Sequence, residues 1–378
     1  MRTIESEATG SHGSIFRLNI EAAAGLPICL GKAYGTLHIT HSEAYSPVSS
    51  SLPPSALAAF SAEDKTKTRA IVPVSMQGYD TDFQAFADAL GASFSRYGFA
   101  VIAEHGLDQP TIDAAIADAK AFFALPEDVK RQYHQAGTGG ARGLTPFGVE
   151  AAKGAASVDL KEFWHVGREL PEGHPYREYM RDNVWPTEIE GFQPHLYGMF
   201  DALDQLGRKI LKAIARYMKL GDDYFEDKVE LGNSVLRMLH YPPVPADAPG
   251  VRAGAHEDIN VITLLLGAEE AGLQLKDADG EWLDIAPPPG ALVVNIGDML
   301  QRLTNHVLPS TTHRVVNPAP ERRGFARYST PFFLHFNPDF PIETLPSTIT
   351  PENPDRYAGK TIKAEDFLME RLKEIRLI

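Results

Sequence analysis

The apolar residues that follow position 81 recur every three or four positions, which is the spacing of one face of an α-helix. This pattern predicts a helix over Asp82 to Tyr97, ended by Gly98, and a second helix from about Gln109 to Phe123. The run Phe99–Ile102 between them is apolar throughout and predicts a buried strand, and the run Ile71–Val74 predicts a short β segment before the first helix. The aromatic residues of this part are expected to form core.

A longer helical pattern runs from about Pro186 to Met218, and Gly221 predicts its end. A helix with one apolar face needs an apolar surface to pack on, so we expect it to lie against a sheet. The last helix is predicted over Phe367 to Ile375.

Between these helices the pattern changes to short β-prone runs that glycine and proline separate. The predicted strands are Ser234–Tyr241, Asn260–Leu266, Leu273–Leu275, Trp282–Ile285, Ala291–Ile296, Thr312–Val316 and Ala326–Leu334. Many short strands at such spacing favour a sandwich or barrel over a parallel sheet, and we predict a jelly roll. The expected fold class is α+β, with a double-stranded β-helix (jelly-roll) core, helices before it and one helix after it.

These patterns divide the chain into four parts. Residues 1–69 are rich in Ser, Ala, Gly and Thr without a sustained period, which predicts a flexible N-terminal extension, with a mis-set translation start as the alternative origin. A mainly helical region is expected over residues 70–230, the jelly-roll core over 231–337, and a tail with a helix over 338–378.

The charge of the chain narrows the classes of partner. With 50 acidic and 36 basic residues the formal net charge is −14, which repels phosphate backbones and anionic lipid surfaces. We therefore expect a small-molecule ligand, no nucleic acid and no membrane, and the sequence predicts no particular oligomeric state. The single cysteine, Cys29, excludes an internal disulfide framework and fits a reducing compartment, so a cytoplasmic protein is expected.

Three side chains that can bind a metal ion lie among the predicted strands. His256 and Asp258 are two residues apart, so on an extended strand both leave the same face, while Glu257 points away. His313 lies in another predicted strand, and closure of a barrel would bring its imidazole to the first pair. Two imidazoles and a carboxylate on one face of an octahedron leave the other face open, as in non-haem Fe(II) oxygenases. Unrelated histidines, in a chain that has 13, are the alternative interpretation.

Arg327 and Ser329 also lie two residues apart, in the last predicted strand of the core. A guanidinium and a hydroxyl inside an apolar barrel are costly unless they meet an anion, and a carboxylate is the strongest such partner of arginine. The pair therefore predicts a carboxylate-bearing ligand. A local ion pair at the surface is the alternative for a lone arginine.

Taken in order along the chain, these motifs resemble the Fe(II)- and 2-oxoglutarate-dependent oxygenases, in the branch similar to isopenicillin N synthase and the plant flavonoid and gibberellin dioxygenases. The segments that carry the resemblance are Ile71–Val74, Phe99, Gly106, Lys161–Phe163, Tyr241–Pro243, His256–Asp258, Gly290–Asp298, His313–Val315 and Arg327–Ser329. The N-terminal extension and the tail fall outside it.

The resemblance implies an enzyme that uses Fe(II), 2-oxoglutarate and dioxygen. It implies that His256, Asp258 and His313 bind the iron, and that a small-molecule metabolite is hydroxylated, desaturated or cyclised with release of succinate and carbon dioxide. The turn Asn295–Asp298 resembles a structural turn of the family and is expected to be architecture.

The resemblance also implies the residues that bind the cosubstrate and the substrate. Arg327 and Ser329 are expected to bind the distal carboxylate of 2-oxoglutarate, with Tyr241 as a further hydroxyl donor or as a tyrosine that merely packs. Candidates for contact with the substrate, which have a solvated charge or core packing as their alternative roles, are Arg142, Phe332 and Phe333.

Other functions stay open at this point. They are an oxidase without 2-oxoglutarate, as isopenicillin N synthase itself is, an enzyme that fragments 2-oxoglutarate to ethylene, a sensor that binds a small acid on the same barrel, and a cupin-like zinc hydrolase. The complete set of three ligand residues argues against a sensor, and the aspartate among them argues against zinc. The Arg-x-Ser motif does not separate the first two from the main prediction, because the oxidase branch carries it too.

Overall fold

The computed structural model of the protein describes residues 70–137, 140–149, 160–243, 252–266, 272–317 and 324–374. The N-terminal residues 1–69, for which the sequence predicts a flexible extension, lie outside these ranges. None of the described helices combines the length and the apolar character that crossing a bilayer requires.

The strands and helices are named here in chain order. The strands are β1 (Val74–Ser75), β2 (Phe99–Ala103), β3 (Gly143–Thr145), β4 (Glu162–Gly167), β5 (Val235–Tyr241), β6 (Ala253–His256), β7 (Ile262–Leu266), β8 (Leu273–Lys276), β9 (Trp282–Asp284), β10 (Leu292–Ile296), β11 (His313–Val315), β12 (Arg327–Leu334), β13 (Pro341–Ile342) and β14 (Ile362–Lys363). The helices are α1 (Gly78–Thr81), α2 (Phe83–Tyr97), α3 (Gln109–Phe123), α4 (Glu127–Arg131), α5 (Phe192–Tyr217), α6 (Glu226–Val229), α7 (Asp298–Leu303) and α8 (Ala364–Glu374).

Two sheets form the centre of the fold. The larger sheet has eight strands in the order β1, β2, β10, β7, β12, β5, β4, β3, and the smaller has four in the order β6, β11, β8, β9. β1 and β2 pair in parallel, and the other neighbours in both sheets are antiparallel. Two layered antiparallel sheets are the jelly-roll arrangement, which confirms the predicted α+β fold class. β1 to β4, from the region predicted to be mainly helical, complete both edges of the larger sheet.

Alternate residues of the larger sheet point to opposite faces, which we call inner and outer. On the inner face Phe99 and Val293 pack with Leu275 and Val315 of the smaller sheet. On the outer face the strands pack against α5, and α2 and α3 pack on α5 in turn. The long helix therefore backs the sheet, as its apolar stripe predicts.

The two helices of the first pattern, α2 and α3, lie within one residue of their predicted bounds. Both ends of α2 carry specific caps. The Asp82 carboxylate accepts a hydrogen bond from the backbone N–H of Ala85 at 3.0 Å, as an N-cap does. Gly98 ends the helix with a φ of 66°, and a Cβ there would lie 2.4 Å from the carbonyl oxygen of Pro309. Glycine thus allows the chain before β11 to approach the start of β2.

The predicted start of the long helix was wrong, whereas its last residue, Tyr217, lies one residue before the predicted Met218. Residues after Pro186 do not begin the helix, because they are held elsewhere: the backbone N–H of Thr187 donates to the Tyr133 hydroxyl at 3.2 Å. At the other end the left-handed residue is Lys219, with a φ of 57°, and not Gly221. The wrong start comes from a contact that an apolar period does not encode.

The seven predicted strands of the second half are present with ends that differ by one or two residues. Among the described strands of the two central sheets, β3 and β4 were not predicted, and β6 was expected only as the extended segment that carries His256. β3 and β6 are short and contain glycine, while β4 carries polar residues on both faces, including Glu162 and His165. The predicted C-terminal helix is confirmed as α8, which starts at Ala364.

Candidate active site

Strands β6 and β11 place two histidines side by side. His256 and His313 are paired across the antiparallel strands, and their ring centroids are 4.4 Å apart. Asp258 faces both, with its Oδ1 3.7 Å from Nε2 of His256 and 3.8 Å from Nε2 of His313. The donor atoms of the three residues all lie within 4.8 Å of one another. Metal–ligand bonds of about 2 Å fit a group of this size.

Asp258 does not lie on the strand that carries His256, so the prediction of one extended strand for both was wrong. β6 ends at His256, and the backbone N–H of Asp298 donates to the Asp258 carbonyl at 2.8 Å in the loop that follows. The carboxylate Oδ2 accepts hydrogen bonds from Thr263 Oγ1 at 2.5 Å and from Asn295 Nδ2 at 2.8 Å. These bonds turn Oδ1 toward the imidazoles.

The hydrogen bonds of the two imidazoles define their tautomers. Nδ1 of His256 lies 2.8 Å from the Gly254 carbonyl oxygen, and Nδ1 of His313 lies 3.1 Å from that of Thr311. A carbonyl oxygen only accepts, so each Nδ1 carries the proton and each Nε2 offers its lone pair to the centre of the cluster. The edge of the Phe99 ring packs against His313, with centroids 5.5 Å apart.

The electrostatics of the cluster favour the forms that bind metals. Loss of water and the neighbouring His313 lower the pKa of His256 to about 4, so this imidazole is neutral at pH 7. Burial alone would raise the pKa of Asp258, but His313, His256 and the two hydrogen bonds to Oδ2 hold it below its ordinary value. A neutral His256 imidazole and an ionised Asp258 carboxylate fit a divalent ion of the Fe(II) type.

A second polar group lies on the inner face where β12 pairs with β5. Arg327 is opposite Tyr241, its guanidinium carbon is 5.1 Å from the centroid of the tyrosine ring, and Ser329 follows on the same face. Arg327 is 3% exposed, and its Nε and Nη1 find no hydrogen-bond partner among the described residues. A buried guanidinium with unpaired N–H groups is costly, so this place fits an anionic ligand such as a carboxylate.

Comparison with known families agrees with this geometry. Residues 71–188 match the family model for the non-haem dioxygenase in morphine synthesis N-terminal region, and residues 232–336 match that of the 2OG-Fe(II) oxygenase superfamily. The chain belongs to the 2OG-Fe(II) oxygenase superfamily. The predicted family is therefore confirmed, and with it an enzyme that uses Fe(II), 2-oxoglutarate and dioxygen.

Individual relatives of this oxygenase extend over most of its length. A 2-oxoglutarate-Fe(II) type oxidoreductase of Emericella nidulans is 33% identical over 290 residues, which are 73% of this chain and 81% of the relative. A crystal structure of a 2OG-Fe(II) oxygenase family protein from Caulobacter crescentus is 62% identical with a TM-score of 0.77, over 81% of this chain and 99% of that one. A full-length Neurospora crassa protein, crystallised in complex with alpha-KG and thymine, is 29% identical with a TM-score of 0.72, over 82% and 98% of the two chains.

The two phenylalanines that the sequence offers as substrate contacts point to opposite faces of the oxygenase sheet. Phe332 lies on the outer face, where its ring packs against Phe200 of α5 with centroids 5.2 Å apart, so it belongs to the core and not to the site. Phe333 lies on the inner face beside Arg237, whose guanidinium carbon is 5.2 Å from the ring centroid.

Arg142, the third candidate, is buried and is not a solvated loop charge. Only 2% of the residue is exposed, and burial lowers its pKa to about 10. Its guanidinium covers Gly167, where a Cβ would be 1.9 Å from its carbon. Gly167 lies on the inner face of β4. It is the last residue of this strand, whose first residue, Glu162, pairs with His240.

Sequence reasoning missed several polar residues of the site. Thr263 holds the Asp258 carboxylate together with Asn295, which was expected only to be architecture. Arg252 lies fully buried, with its guanidinium carbon 5.9 Å from the ring centroid of Tyr241. The position of Arg237 on the inner face could have been predicted, because it is four residues before Tyr241 and residues an even number apart share one face of a strand. Arg252 stands in no predicted strand, and nothing in its sequence neighbourhood marks it.

Proposed function

We propose that the protein oxidises a C–H bond of a small-molecule metabolite, and that His256, Asp258 and His313 hold its iron. The cluster of their donor atoms, in a chain of this superfamily, is the observation that carries the proposal. For a hydroxylation the balance is substrate, 2-oxoglutarate and dioxygen in, and hydroxylated substrate, succinate and carbon dioxide out. When bound here, Fe(II) supplies the activation of dioxygen and the oxidative decarboxylation of the cosubstrate.

The share of the protein in this reaction is to fix the ligand atoms before the metal arrives. Each histidine has its Nδ1–H engaged by a backbone carbonyl, and Asp258 has its Oδ2 engaged by Thr263 and Asn295. Three atoms then converge, and the rest of the coordination sphere is left to the reactants.

We further propose that Arg327 binds the distal carboxylate of 2-oxoglutarate, with Ser329 and Tyr241 as hydroxyl donors. The unpaired N–H groups of the buried guanidinium support this role, because a bidentate carboxylate would satisfy them. All three residues lie on the inner face and are almost fully buried, so water would be kept from the bound cosubstrate.

A cytoplasmic location and a small-molecule substrate complete the proposal. A single cysteine fits a reducing compartment, and the net charge of −14 disfavours anionic polymers and lipid surfaces. Hydroxylation, desaturation and cyclisation all use the same site, and the product distinguishes them.

The test is to reconstitute the protein with Fe(II) without air, then to supply 2-oxoglutarate, air and a metabolite extract. We expect succinate, together with a product that has gained one oxygen atom or lost two hydrogen atoms. His256→Ala should form neither, whereas His195→Ala, which changes a surface histidine paired with Asp118, should behave as the wild type. Product without succinate would support an oxidase instead, and equal turnover by His256→Ala would refute the proposed iron site.

A further inference from the structure

The loop that carries Asp258 rests on the first residues of helix α7. Three successive backbone N–H groups there donate to carbonyl oxygens of the loop: Gly297 to Val261 at 2.9 Å, Asp298 to Asp258 at 2.8 Å and Met299 to Asn260 at 3.1 Å. The approach is close enough to require glycine, because a Cβ on Gly297 would lie 2.1 Å from the Asn260 carbonyl oxygen. A displacement of this end of α7 therefore displaces the backbone of Asp258.

The side chain of Asp298 connects the same point to the C-terminal helix α8. Asp298 is 7% exposed, and its Oδ2 lies 3.1 Å from Nη2 of Arg371. Nη1 of this arginine donates to Oε2 of Glu374, on the same helix, at 2.7 Å, which orients the guanidinium. A buried carboxylate that loses its cation is left with an uncompensated charge. Arg371 thus joins α8 to the residue that holds the Asp258 carbonyl.

The turn that follows α7 is bound by the loop 345–360. Asn305 is fully buried, and its Nδ2 donates to the carbonyl oxygens of Asn353 and Pro354 at 3.2 Å each. Its Oδ1 accepts the backbone N–H of Arg356 at 3.1 Å. Asn305 has a φ of 50°, and the next residue, His306, has a φ of 64°. Two successive left-handed residues other than glycine are strained, and such a turn persists only where its surroundings hold it.

This strained turn leads into the segment that carries His313. The backbone N–H of Ser310 donates to Oε1 of Gln301, on α7, at 2.8 Å. The carbonyl of the next residue, Thr311, accepts the Nδ1–H of His313 at 3.1 Å. Helix α7 therefore lies between contacts to two of the three proposed iron-binding residues, and later parts of the chain bind both of its ends.

The loop 345–360 is itself held in place. The Asp355 carboxylate accepts the backbone N–H groups of Tyr357 at 3.0 Å and Gly359 at 2.8 Å, and the Thr344 hydroxyl at 2.9 Å. Strands β13 and β14, which precede and follow the loop, pair with each other. Several bonds of this kind keep the loop folded when one of them is lost, so it can hold the turn at Asn305.

We propose that Arg371 and Asn305 are positioning residues of the iron site, and that the C-terminal part of the chain fixes Asp258 and His313 through the two ends of α7. Arg371 acts through Asp298 on the loop of Asp258, and Asn305 holds the turn before His313. Their partners from 353 to 356 and helix α8 lie beyond the residues 232–336 that match the superfamily model. The inference rests on the proposed function, because it concerns the same iron site.

The experiment titrates the metal-free protein with Fe(II) without air and records the melting temperature of the same samples. Arg371→Met should weaken Fe(II) binding about ten-fold, as is usual for groups that orient metal ligands. Arg371→Lys keeps the charge and should recover most of this loss. Arg208→Met is the matched control, because Arg208 pairs at 3.0 Å with Asp204 of α5, an ion pair as buried as that of Arg371. Its melting temperature should fall while its affinity for Fe(II) stays that of the wild type.

A double variant shows whether Arg371 acts through Asp298. Asp298→Asn removes the charge that Arg371 binds and keeps the backbone N–H that donates to Asp258. Two residues that act along one route lose their effect together and not additively. The double variant should therefore bind Fe(II) no more weakly than Arg371→Met alone. Losses that add up would overturn the route through Asp298.

Asn305 is tested by a residue that accepts its backbone conformation. Asn305→Gly suits a φ of 50° without strain but loses the amide bonds to the loop 345–360. We expect Fe(II) binding about ten-fold weaker than in the wild type, although the backbone is relaxed. Lys219→Gly is the control, because Lys219 has a φ of 57° after α5, and its affinity for Fe(II) should not change.

The comparison with His256→Ala separates this inference from the proposed function. If the C-terminal part only supports the fold, Arg371→Met and Asn305→Gly will lose melting temperature and keep the wild-type affinity for Fe(II). That result, together with lost binding in His256→Ala, would overturn the positioning roles and leave the proposed iron site standing. A wild-type protein that binds no Fe(II) would overturn both.

Discussion

The hydroxyl of Thr263 donates to Oδ2 of Asp258 at 2.5 Å, and this bond decides which oxygen of the carboxylate faces the two imidazoles. Asn295 donates to the same Oδ2 from the neighbouring strand at 2.8 Å. With Oδ2 engaged twice, Asp258 can offer a metal ion only Oδ1, the atom that lies 3.7 and 3.8 Å from the histidine Nε2 atoms. The larger sheet thus orients Asp258 in the proposed iron site, whose histidines come from the smaller sheet.

Replacing Thr263 by valine removes the hydroxyl and keeps the shape. We expect the affinity for Fe(II) to fall about ten- to hundred-fold, as is usual when a supporting hydrogen bond to a ligand is lost. Titration of the metal-free protein without air measures this. Thr344→Val is the matched control, because its hydroxyl donates to Asp355 in the tail, and its affinity should not change. Equal affinities in both variants would mean that Asp258 is oriented without the Thr263 hydroxyl.

The sequence predicts well what depends on neighbours along the chain. The bounds of α2 follow from Asp82 and Gly98, which cap it, and the strands of the core follow from short apolar runs between glycine and proline. His256 and His313 could be proposed as partners because a barrel must bring such strands together, and their direct pairing agrees with that expectation. Local chemistry and topology were enough for these features.

What the sequence does not predict depends on contacts between distant segments. Asp258 leaves the strand of His256 because Asp298, from a later helix, binds its carbonyl. The sequence around Arg142 is that of a loop with an exposed charge. The contact that buries its guanidinium is with Gly167 of β4, whose missing side chain makes room for it. Phe332 and Phe333 are neighbours of the same residue type. Only the register of β12 decides that the first points to the outer face and the second to the inner face.

Arg327→Ala should raise the KM for 2-oxoglutarate by roughly a hundred-fold, with a smaller effect on kcat at saturation. The variant loses a charge-assisted, bidentate pair that we assign to binding of the cosubstrate. Steady-state succinate release at varied 2-oxoglutarate measures both constants. Arg131→Ala, which removes an exposed arginine on α4, serves as the control. A lowered kcat with an unchanged KM would place Arg327 outside the cosubstrate site.

Removal of the metal should abolish turnover without unfolding the protein. The core between the two sheets and the core against α5 are built from apolar side chains, none of which is a proposed metal ligand, so the fold does not depend on the ion. After treatment with a chelator we expect circular dichroism to be unchanged, and added Fe(II) to restore succinate release. Zn(II) should bind without restoring it, because it has no redox chemistry. Activity that survives chelation would contradict a metal-dependent mechanism.

The stability of the metal-free protein should depend on pH through His335, a buried residue of the inner face. Burial lowers the pKa of its imidazole to about 4, whereas in the unfolded chain it takes up a proton near pH 6.5. Between these values the unfolded state binds more protons, so the free energy of unfolding falls as the pH is lowered.

Denaturant titrations of the metal-free protein at pH 7 and pH 5 measure the effect. His335 should contribute a loss of about 2 kcal/mol between the two pH values, and His335→Gln should remove that part of the loss. His195→Gln changes an exposed histidine and should keep the wild-type pH dependence. An identical pH dependence in His335→Gln would show that the imidazole takes up its proton at the same pH in the folded and the unfolded protein.

Gly98→Ala should weaken metal binding, although Gly98 is not one of the proposed iron-binding residues. Gly98 has a φ of 66°, and an added Cβ would lie 2.4 Å from the Pro309 carbonyl oxygen, so the backbone before β11 must move. That segment contains Thr311, whose carbonyl accepts the Nδ1–H of His313.

The strain should cost about 2 kcal/mol of stability, and a displaced carbonyl should also lower the affinity for Fe(II). Gly106→Ala separates the two effects, because Gly106 has a φ of 73° but an added Cβ would meet nothing within 4 Å. It should lose stability and keep its metal affinity. If both variants lose stability alone, the approach of β2 to the loop before β11 has no part in placing His313.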